Sequence, residues 1–96
     1  MSSDMLFEWD SAKAAANLRK HGVAFEDAVR VFADPAYVSD VERIENGELR
    51  WQSIGMVDGV RLLLVAHTWH DDTGVEIIRI ISARKAERHE RQRYQN

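Results

Sequence analysis

Residues 46–82, NGELRWQSIGMVDGVRLLLVAHTWHDDTGVEIIRIIS, are the part of the chain that decides the fold. Three runs rich in β-branched, aromatic and aliphatic residues are separated by two turn sequences, Asp58-Gly59 and Asp71-Asp72-Thr73-Gly74. An Asp-Gly pair between two such runs is a strong hairpin signal, because both residues tolerate a positive φ. The pattern predicts strands over 48–57, 60–69 and 75–82, which short turns would pair antiparallel.

The sequence before residue 46 predicts two helices and two further strands. Asp10 is suited to cap a helix, and Gly22 is suited to end it in a left-handed turn. Apolar residues recur every three or four positions in a second helix, which Asp34-Pro35 would stop. The predicted elements are a strand over 6–9, helices over 11–20 and 25–33, and a weak strand over 36–42.

The end of the chain, from Arg84 to Tyr94, is predicted to form a helix with almost no apolar stripe. Arg84, Arg88 and Arg91 are spaced to form a cationic ridge along it. A helix that is polar nearly all round either carries a binding surface or is weakly docked. The whole pattern predicts an α+β domain with an antiparallel sheet of about four strands, two N-terminal helices and a C-terminal helix.

Length and composition restrict the class of protein. With 96 residues, 45% hydrophobic and 30% charged, the chain is expected to form one domain, 1–96, with a flexible start over 1–5. It has no cysteine, which excludes a disulfide framework and a thiolate nucleophile. Its longest apolar run, 62–66, is far shorter than the roughly 20 residues of a membrane span. We therefore expect a cytoplasmic protein without a membrane partner.

Charge is unevenly distributed along the chain. The net charge is −3, but residues 79–96 carry six Lys or Arg against two Glu, a local +4, which leaves −7 on the rest. Such an asymmetry often marks a basic surface for RNA or for an acidic partner. A solvated basic helix without a ligand is the alternative interpretation.

Metal and nucleotide-cofactor chemistry are not expected. His67 and His70 lie three positions apart on a predicted strand, so they should point to opposite faces and not share a metal ion. The glycines are scattered through turns and strands instead of forming a phosphate-binding loop. No metal and no cofactor is therefore predicted.

What remains is a set of basic residues on strand faces and at element ends: Arg50, Arg61, Arg79, Lys20, His21, Arg84 and Lys85. An arginine flanked by apolar residues on its own strand face is costly unless it is paired or used. The set could hold an RNA phosphate, with Trp51 and Trp69 stacking on bases. For each arginine alone, a structural salt bridge is an equally good explanation.

A series of short motifs extends over nearly the whole chain, from about Leu6 to Tyr94. The first half contains Phe7-Glu8-Trp9-Asp10, Lys13, Asn17, Lys20-His21-Gly22-Val23, Phe25-Glu26-Asp27-Ala28 and Val31-Phe32-Ala33-Asp34-Pro35. The second half contains Gly47-Glu48-Leu49-Arg50, Ile54-Gly55, Arg79-Ile80-Ile81-Ser82-Ala83-Arg84-Lys85-Ala86, Glu90-Arg91 and Tyr94. In order and spacing these motifs resemble the BrnT family of toxins.

The resemblance implies a RelE-like fold and the toxin role in a type II toxin–antitoxin pair. Relatives are metal-independent endoribonucleases that halt translation by cutting RNA. Their usual partner is a BrnA-like antitoxin whose ribbon-helix-helix domain dimerises and binds operator DNA. The complex typically pairs two toxins with two antitoxins and represses its own operon.

Carried over position by position, the resemblance implies these functional residues: Lys20, His21, Arg50, Arg79, Arg84 and Lys85. Many relatives have an arginine two residues after the threonine that matches Thr68, where this chain has His70. Because histidine is fully charged only in acid, this departure predicts a weaker activity or an altered pH optimum.

The implied reaction is attack of a ribose 2′-hydroxyl on its adjacent phosphate, which leaves a cyclic phosphate. It requires a base, an acid and cations beside the phosphorane. The cation candidates are Arg50, Arg79 and Arg84. The candidates for proton transfer are His21, His67 and His70, with Glu48 as a weaker base, and their roles stay open. Lys85, Arg88, Trp51 and Trp69 are expected to bind RNA.

Two other functions stay open beside the ribonuclease toxin. One is a non-catalytic corepressor that binds its antitoxin, and the other is a structural domain with a solvated basic helix. If the chain is a toxin, we expect an acidic or amphipathic stretch of the antitoxin to dock across Arg79, Arg84, Lys85 and the ridge from Arg88 to Arg91.

Overall fold

The chain builds a five-stranded mixed sheet that carries helices on both faces. Residues 4–95 are described by a computed structural model. Their elements are β1 (Asp4–Glu8), α1 (Ser11–His21), α2 (Phe25–Val29), a 3-10 helix (Arg30–Ala33), β2 (Val38–Glu45), β3 (Glu48–Val57), β4 (Arg61–Asp72), β5 (Val75–Lys85) and α3 (Arg88–Gln95). The strand order is β1-β5-β4-β3-β2.

The sheet differs from the prediction in strand number and in direction. It has five strands instead of about four, and it is mixed, because β1 pairs parallel with β5, with Leu6 opposite Ile77. A helix follows β1, so no turn signal next to this strand identifies its partner. The strands from β2 to β5 are antiparallel neighbours, as predicted. Asp4 and Met5 lie in β1, where a flexible start was expected, and residues 1–3 lie outside the described residues.

Local hydrogen bonds explain where α1 begins and ends. Asp10 caps it as predicted, because its Oδ1 accepts from the backbone N–H of Ala12 at 2.8 Å and of Lys13 at 3.2 Å. Gly22 closes it with φ of 70°, in the left-handed region that favours glycine. The buried Asn17 donates to the carbonyl oxygens of Val23 at 2.9 Å and Ala83 at 2.8 Å, and accepts from Ala83 N at 3.0 Å. Asn17 therefore ties α1 to the end of β5.

The segment predicted as one helix over 25–33 changes its geometry partway. It is α-helical to Val29 and then 3-10 to Ala33. This second part presses on β3 at Gly55, where an added Cβ would lie 2.8 Å from both the Cγ1 and the carbonyl oxygen of Val31. Only a residue without a side chain permits so close an approach.

Each face of the sheet has its own apolar core. On the α1–α2 face, Phe25, Ala28 and Val31 pack against Leu63, Val65, Ile78 and Ile80. On the opposite face, called the α3 face below, Ile54, Leu62, Leu64 and Ala86 pack with Met56 and Tyr94. β5 continues to Lys85, so Arg84 and Lys85 are strand residues and α3 starts four residues later than predicted. Because α3 has only eight residues, it covers only part of the α3 face of the sheet.

Candidate functional site

Four of the predicted basic residues meet where the end of α1 lies beside the end of β5. Lys20, His21, Arg84 and Lys85, together with Glu87, line a pocket of about 390 Å³. Two hydrogen bonds between Asn17 and Ala83, one in each direction, hold α1 and β5 together at this point. We call the four basic residues the end cluster.

Arg84 is already engaged by a carboxylate. Its two terminal nitrogens each donate to Glu90, both at 2.7 Å, and the Glu90 side chain is 6% exposed. This hydrogen bonding raises the pKa of Arg84 and, against the effect of burial, lowers the pKa of Glu90. The pair is bidentate, which fixes its geometry. Glu90 therefore cancels much of the charge that Arg84 could offer a phosphate.

A second group lies across the middle of the sheet on the α3 face. Thr68 pairs with Arg79 of β5, and Arg50 of β3 lies beside Thr68 because the next residue, Trp51, pairs with His67. The Nε of Arg50 and the Oγ1 of Thr68 are buried and have no hydrogen-bond partner among the described residues, while a terminal nitrogen of Arg50 lies 3.4 Å from Glu45. The Arg79 side chain is 49% exposed, with a nitrogen 3.9 Å from Glu8. We call Arg50, Thr68 and Arg79 the arginine row.

Between the arginine row and α3 the sheet forms a shallow groove. Ala66 and Ser82 contribute small side chains to its lining, and Arg50 and Arg84 lie at its two ends. Its volume is about 250 Å³. Gln52, also in the groove, is held by Glu42 and by Arg93 of α3. The groove connects the arginine row with Arg84 of the end cluster.

His70 and Glu48 form a pair next to the arginine row. The Nε2 of His70 donates to Oε2 of Glu48 at 2.6 Å, and the His70 side chain is 53% exposed. His70 follows Thr68 by two positions, so it lies on the same face about 7 Å along β4. With its proton on Nε2, a neutral imidazole presents Nδ1 as a proton acceptor.

His67, by contrast, lies inside the protein on the α1–α2 face. It is 0% exposed. Its Nδ1 donates to the Thr68 carbonyl at 3.0 Å, and its Nε2 accepts from Ser53 Oγ at 2.7 Å. Burial lowers its pKa to about 4. A neutral, buried imidazole with both nitrogens engaged in hydrogen bonds fits a structural role.

The remaining predicted residues do not join the arginine row. Trp51 and Trp69 contact each other on the α1–α2 face, with ring centroids 5.3 Å apart, and so face away from it. Arg61 also points to that face, where it bonds Asp27 at 2.9 Å. Arg88 is exposed at the start of α3.

One group of possible metal ligands was not foreseen. Within residues 4–95, ligand atoms of Glu87, His89 and Glu90 lie within 4.8 Å of one another. The two oxygens of Glu90 already accept from Arg84 and from the backbone N–H of Glu87. His67 and His70 point to opposite faces of the sheet, as the spacing predicted.

Sequence reasoning also missed two residues that organise the site. Asn17 and Glu90 both belong to the quoted motifs, but no role was assigned to either. A polar residue inside an alanine-rich helix, and a single acid in an arginine-rich helix, are the signals that could have suggested buried partners. Asn17 bonds Ala83, which lies far from it in the sequence. Glu90 bonds Arg84, which belongs to a different element.

Three comparisons relate the chain to known proteins. A family profile described as "Ribonuclease toxin, BrnT, of type II toxin-antitoxin system" matches residues 9–90. The crystal structure of the Brucella abortus ribonuclease toxin BrnT aligns with a TM-score of 0.61 and 23% identity, over 90% of this chain and 100% of that chain. The search of curated proteins found no match. No helix within residues 4–95 has the length and apolar character to cross a membrane.

Proposed function

Because the chain belongs to the BrnT family of ribonuclease toxins of type II toxin–antitoxin systems, we propose that it cuts RNA at the arginine row. The observation that carries this proposal is the pair of buried, unpartnered polar atoms at Arg50 and Thr68, beside the exposed Arg79. A buried donor without a partner is costly. A phosphate oxygen drawn in by two arginines would satisfy it.

The scissile phosphate is proposed to lie between Arg50 and Arg79. These residues are two strands apart, which separates their backbones by about 10 Å and lets both side chains reach one phosphate. His70 takes the proton of the ribose 2′-hydroxyl, with Glu48 holding the imidazole in the tautomer that accepts at Nδ1. The 2′-oxygen then attacks phosphorus, the two guanidinium groups stabilise the added negative charge, and the leaving 5′-oxygen is protonated from solvent.

The end cluster is proposed to hold the RNA backbone beyond the reacting phosphate. Arg84 follows Arg79 by five positions on β5, a distance of about 16 Å along the strand. An RNA strand that runs through the groove would thus reach Lys20, His21 and Lys85. Arg84 contributes less, since Glu90 pairs with it.

The resemblance to the family adds further properties to the proposal. The chain is proposed to have a RelE-like fold, to cut RNA without a metal ion, to arrest translation and to act in the cytoplasm. A BrnA-like ribbon-helix-helix antitoxin is proposed to neutralise it, in a complex of two toxins and two antitoxins that binds operator DNA. The corepressor remains the alternative, because it would use the antitoxin contact without cutting RNA.

The test is RNA cleavage by the purified chain and by two variants that each lose one positive charge. Arg79→Ala should cut RNA about 100-fold more slowly. Arg30→Ala is the matched control, because Arg30 forms an exposed ion pair with Asp58, and exposed pairs contribute little to stability. Unfolding curves must show that both variants fold. Intact RNA with the wild-type chain, or equal rates for the two variants, would contradict the proposal.

A further inference from the structure

A group of apolar side chains is exposed on the α1–α2 face, at the β2 edge of the sheet. We define the β2–β3 patch by its members: Val41, Ile44, Leu49, Trp51 and Trp69. Val41 is 48% exposed, Ile44 69% and Leu49 43%. They are three of the six large hydrophobic residues that are exposed among the described residues. Their clustering distinguishes this surface from scattered exposed apolar residues, which need no explanation.

Strand register places these residues together. Val41 pairs with Trp51 and Ile44 pairs with Leu49 across the β2–β3 ladder. Trp69 joins them through its ring contact with Trp51. The helices of this face pack on β5, β4 and β3, so the patch lies beyond them. β2 is an edge strand, so a partner can approach from the side as well as from above.

The patch is already well ordered. Trp69 donates from Nε1 to Glu76 at 3.1 Å and contacts Phe32, with ring centroids 6.4 Å apart. Tryptophan side chains fixed in this way are typical anchors of protein interfaces, since little conformational entropy is lost when a partner binds.

Charge around the patch selects the kind of partner. Trp69 is followed two positions later by the exposed Asp71, which faces the same side, and Glu76 contacts the Trp69 ring. The nearest strand cations, Arg43 and Arg50, point to the opposite face. RNA would meet apolar and acidic surface here and be repelled. A protein segment with apolar anchors flanked by lysine or arginine is complementary.

We infer that the β2–β3 patch is the docking surface for the antitoxin, through an amphipathic segment of basic character. The inference rests on membership in a toxin–antitoxin family and does not depend on RNA cleavage. It is an alternative to the expected docking across Arg79, Arg84, Lys85 and the ridge of α3, which was argued from the basic charge of that segment and from the missing apolar stripe of α3. The bonds from Arg84 to Glu90 and from Tyr94 to Asp34 hold α3 without such a stripe.

The experiment measures the affinity of the purified chain for a BrnA-like antitoxin, by titration of the labelled antitoxin. Ile44→Lys places a positive charge within the patch, on a side chain that is 69% exposed, so the fold should be kept. Val60→Lys is the matched control, because Val60 is 78% exposed in the turn between β3 and β4. We expect Ile44→Lys to weaken binding about tenfold or more and Val60→Lys to change it less than about twofold.

Each other outcome would overturn the inference. Wild-type affinity in Ile44→Lys and in the second variant Leu49→Lys would exclude antitoxin binding at the patch. Altered RNA cleavage with unaltered antitoxin affinity would make it an RNA site. A toxin dimer that Ile44→Lys dissociates without affecting the antitoxin would make it a contact between two copies. A failure of the proposed ribonuclease activity would leave the affinity measurement intact, so the two failures can be distinguished.

Discussion

At the scale of single residues, the proposal that His70 transfers a proton can be tested by substitution. His70 lies beside the arginine row and bonds Glu48 at 2.6 Å. Its removal should reduce the rate of RNA cleavage about 100-fold, the lower end of what general acid–base catalysis contributes. His70→Ala can be compared with His89→Ala, which removes an exposed imidazole on α3. Similar cleavage rates in the two variants would exclude His70 from the chemistry.

His67 has a structural role that pH should reveal. The folded chain resists protonation of His67 until about pH 4, whereas an unfolded histidine takes up a proton below about 6.5. The unfolded state thus binds more protons in this window, and stability present above pH 6.5 is lost as the pH falls towards 4. Between pH 7 and 5 the free energy of unfolding should fall by about 2 kcal/mol.

Urea unfolding at several pH values can measure this loss. His67→Gln should be less stable at pH 7 but should lack the decline between pH 7 and 5. A decline of the same size in His67→Gln would assign it to other groups. The half-buried carboxylate of Asp34 and the buried carboxylate of Glu90 act at lower pH, because hydrogen bonds keep both pKa values below the usual carboxyl range against the effect of desolvation.

At the scale of elements, α3 shows how a helix without an apolar stripe can stay docked. Apart from the Tyr94 ring, which packs in the apolar core of the α3 face, its contacts are polar: Glu90 holds Arg84, and the Tyr94 hydroxyl donates to Asp34 Oδ2 at 2.6 Å. Asp34 in turn accepts from the N–H of Met56 at 2.7 Å and of Ala36 at 2.9 Å. Polar contacts can therefore dock a helix that lacks an apolar stripe, whereas the coverage of α3 by a partner stays a prediction.

The hydroxyl of Tyr94 should therefore contribute to stability. Tyr94→Phe removes one hydrogen bond to a carboxylate and should lower the free energy of unfolding by about 1 kcal/mol. Tyr37→Phe is the matched control, because the Tyr37 ring packs on Phe32 and its hydroxyl has no hydrogen bond recorded in the described part of the chain. Urea unfolding and hydrogen exchange in α3 would measure the difference. Equal losses in the two variants would show that the bond to Asp34 is unimportant.

Local signals predicted the elements better than their arrangement. Asp10, Gly22 and the turn at Asp58-Gly59 act over a few residues, and the structure has a helix cap, a helix end and a hairpin turn at these positions. The pairing of β1 with β5 joins segments from opposite ends of the chain. Nothing near β1 encodes that choice, which depends on packing of the whole domain.

At the scale of the whole molecule, the alternation of side chains between the two faces of a strand predicted part of the site and missed the rest. This alternation separated His67 from His70, and it put Arg50 and Arg61 on different faces of the sheet once the strand register was known. The ion pair between Arg84 and Glu90 could not be predicted from this alternation, because it depends on where α3 packs against the sheet. The sequence also did not predict which face of the sheet Trp51 and Trp69 occupy.

Metal independence is a prediction for the protein as a whole. Cleavage of RNA should proceed at the same rate with and without excess EDTA, because the proposed reaction uses arginine cations in place of a metal ion. Loss of cleavage in EDTA, with recovery on adding one divalent ion, would contradict this. Glu87 and His89 would then be the first residues to replace, since Glu90 lies with them.

The parallel pairing of β1 with β5 has a consequence for synthesis on the ribosome. Asp4 aligns with Val75, about 70 residues later in the chain. β1 emerges early and waits for β5, and pairing across so long a separation is slow. At 5–20 residues per second, translation takes several seconds to span that interval. Among the strands β5, with Arg79, emerges last, so a nascent chain that stops before Val75 has neither a partner for β1 nor a complete arginine row.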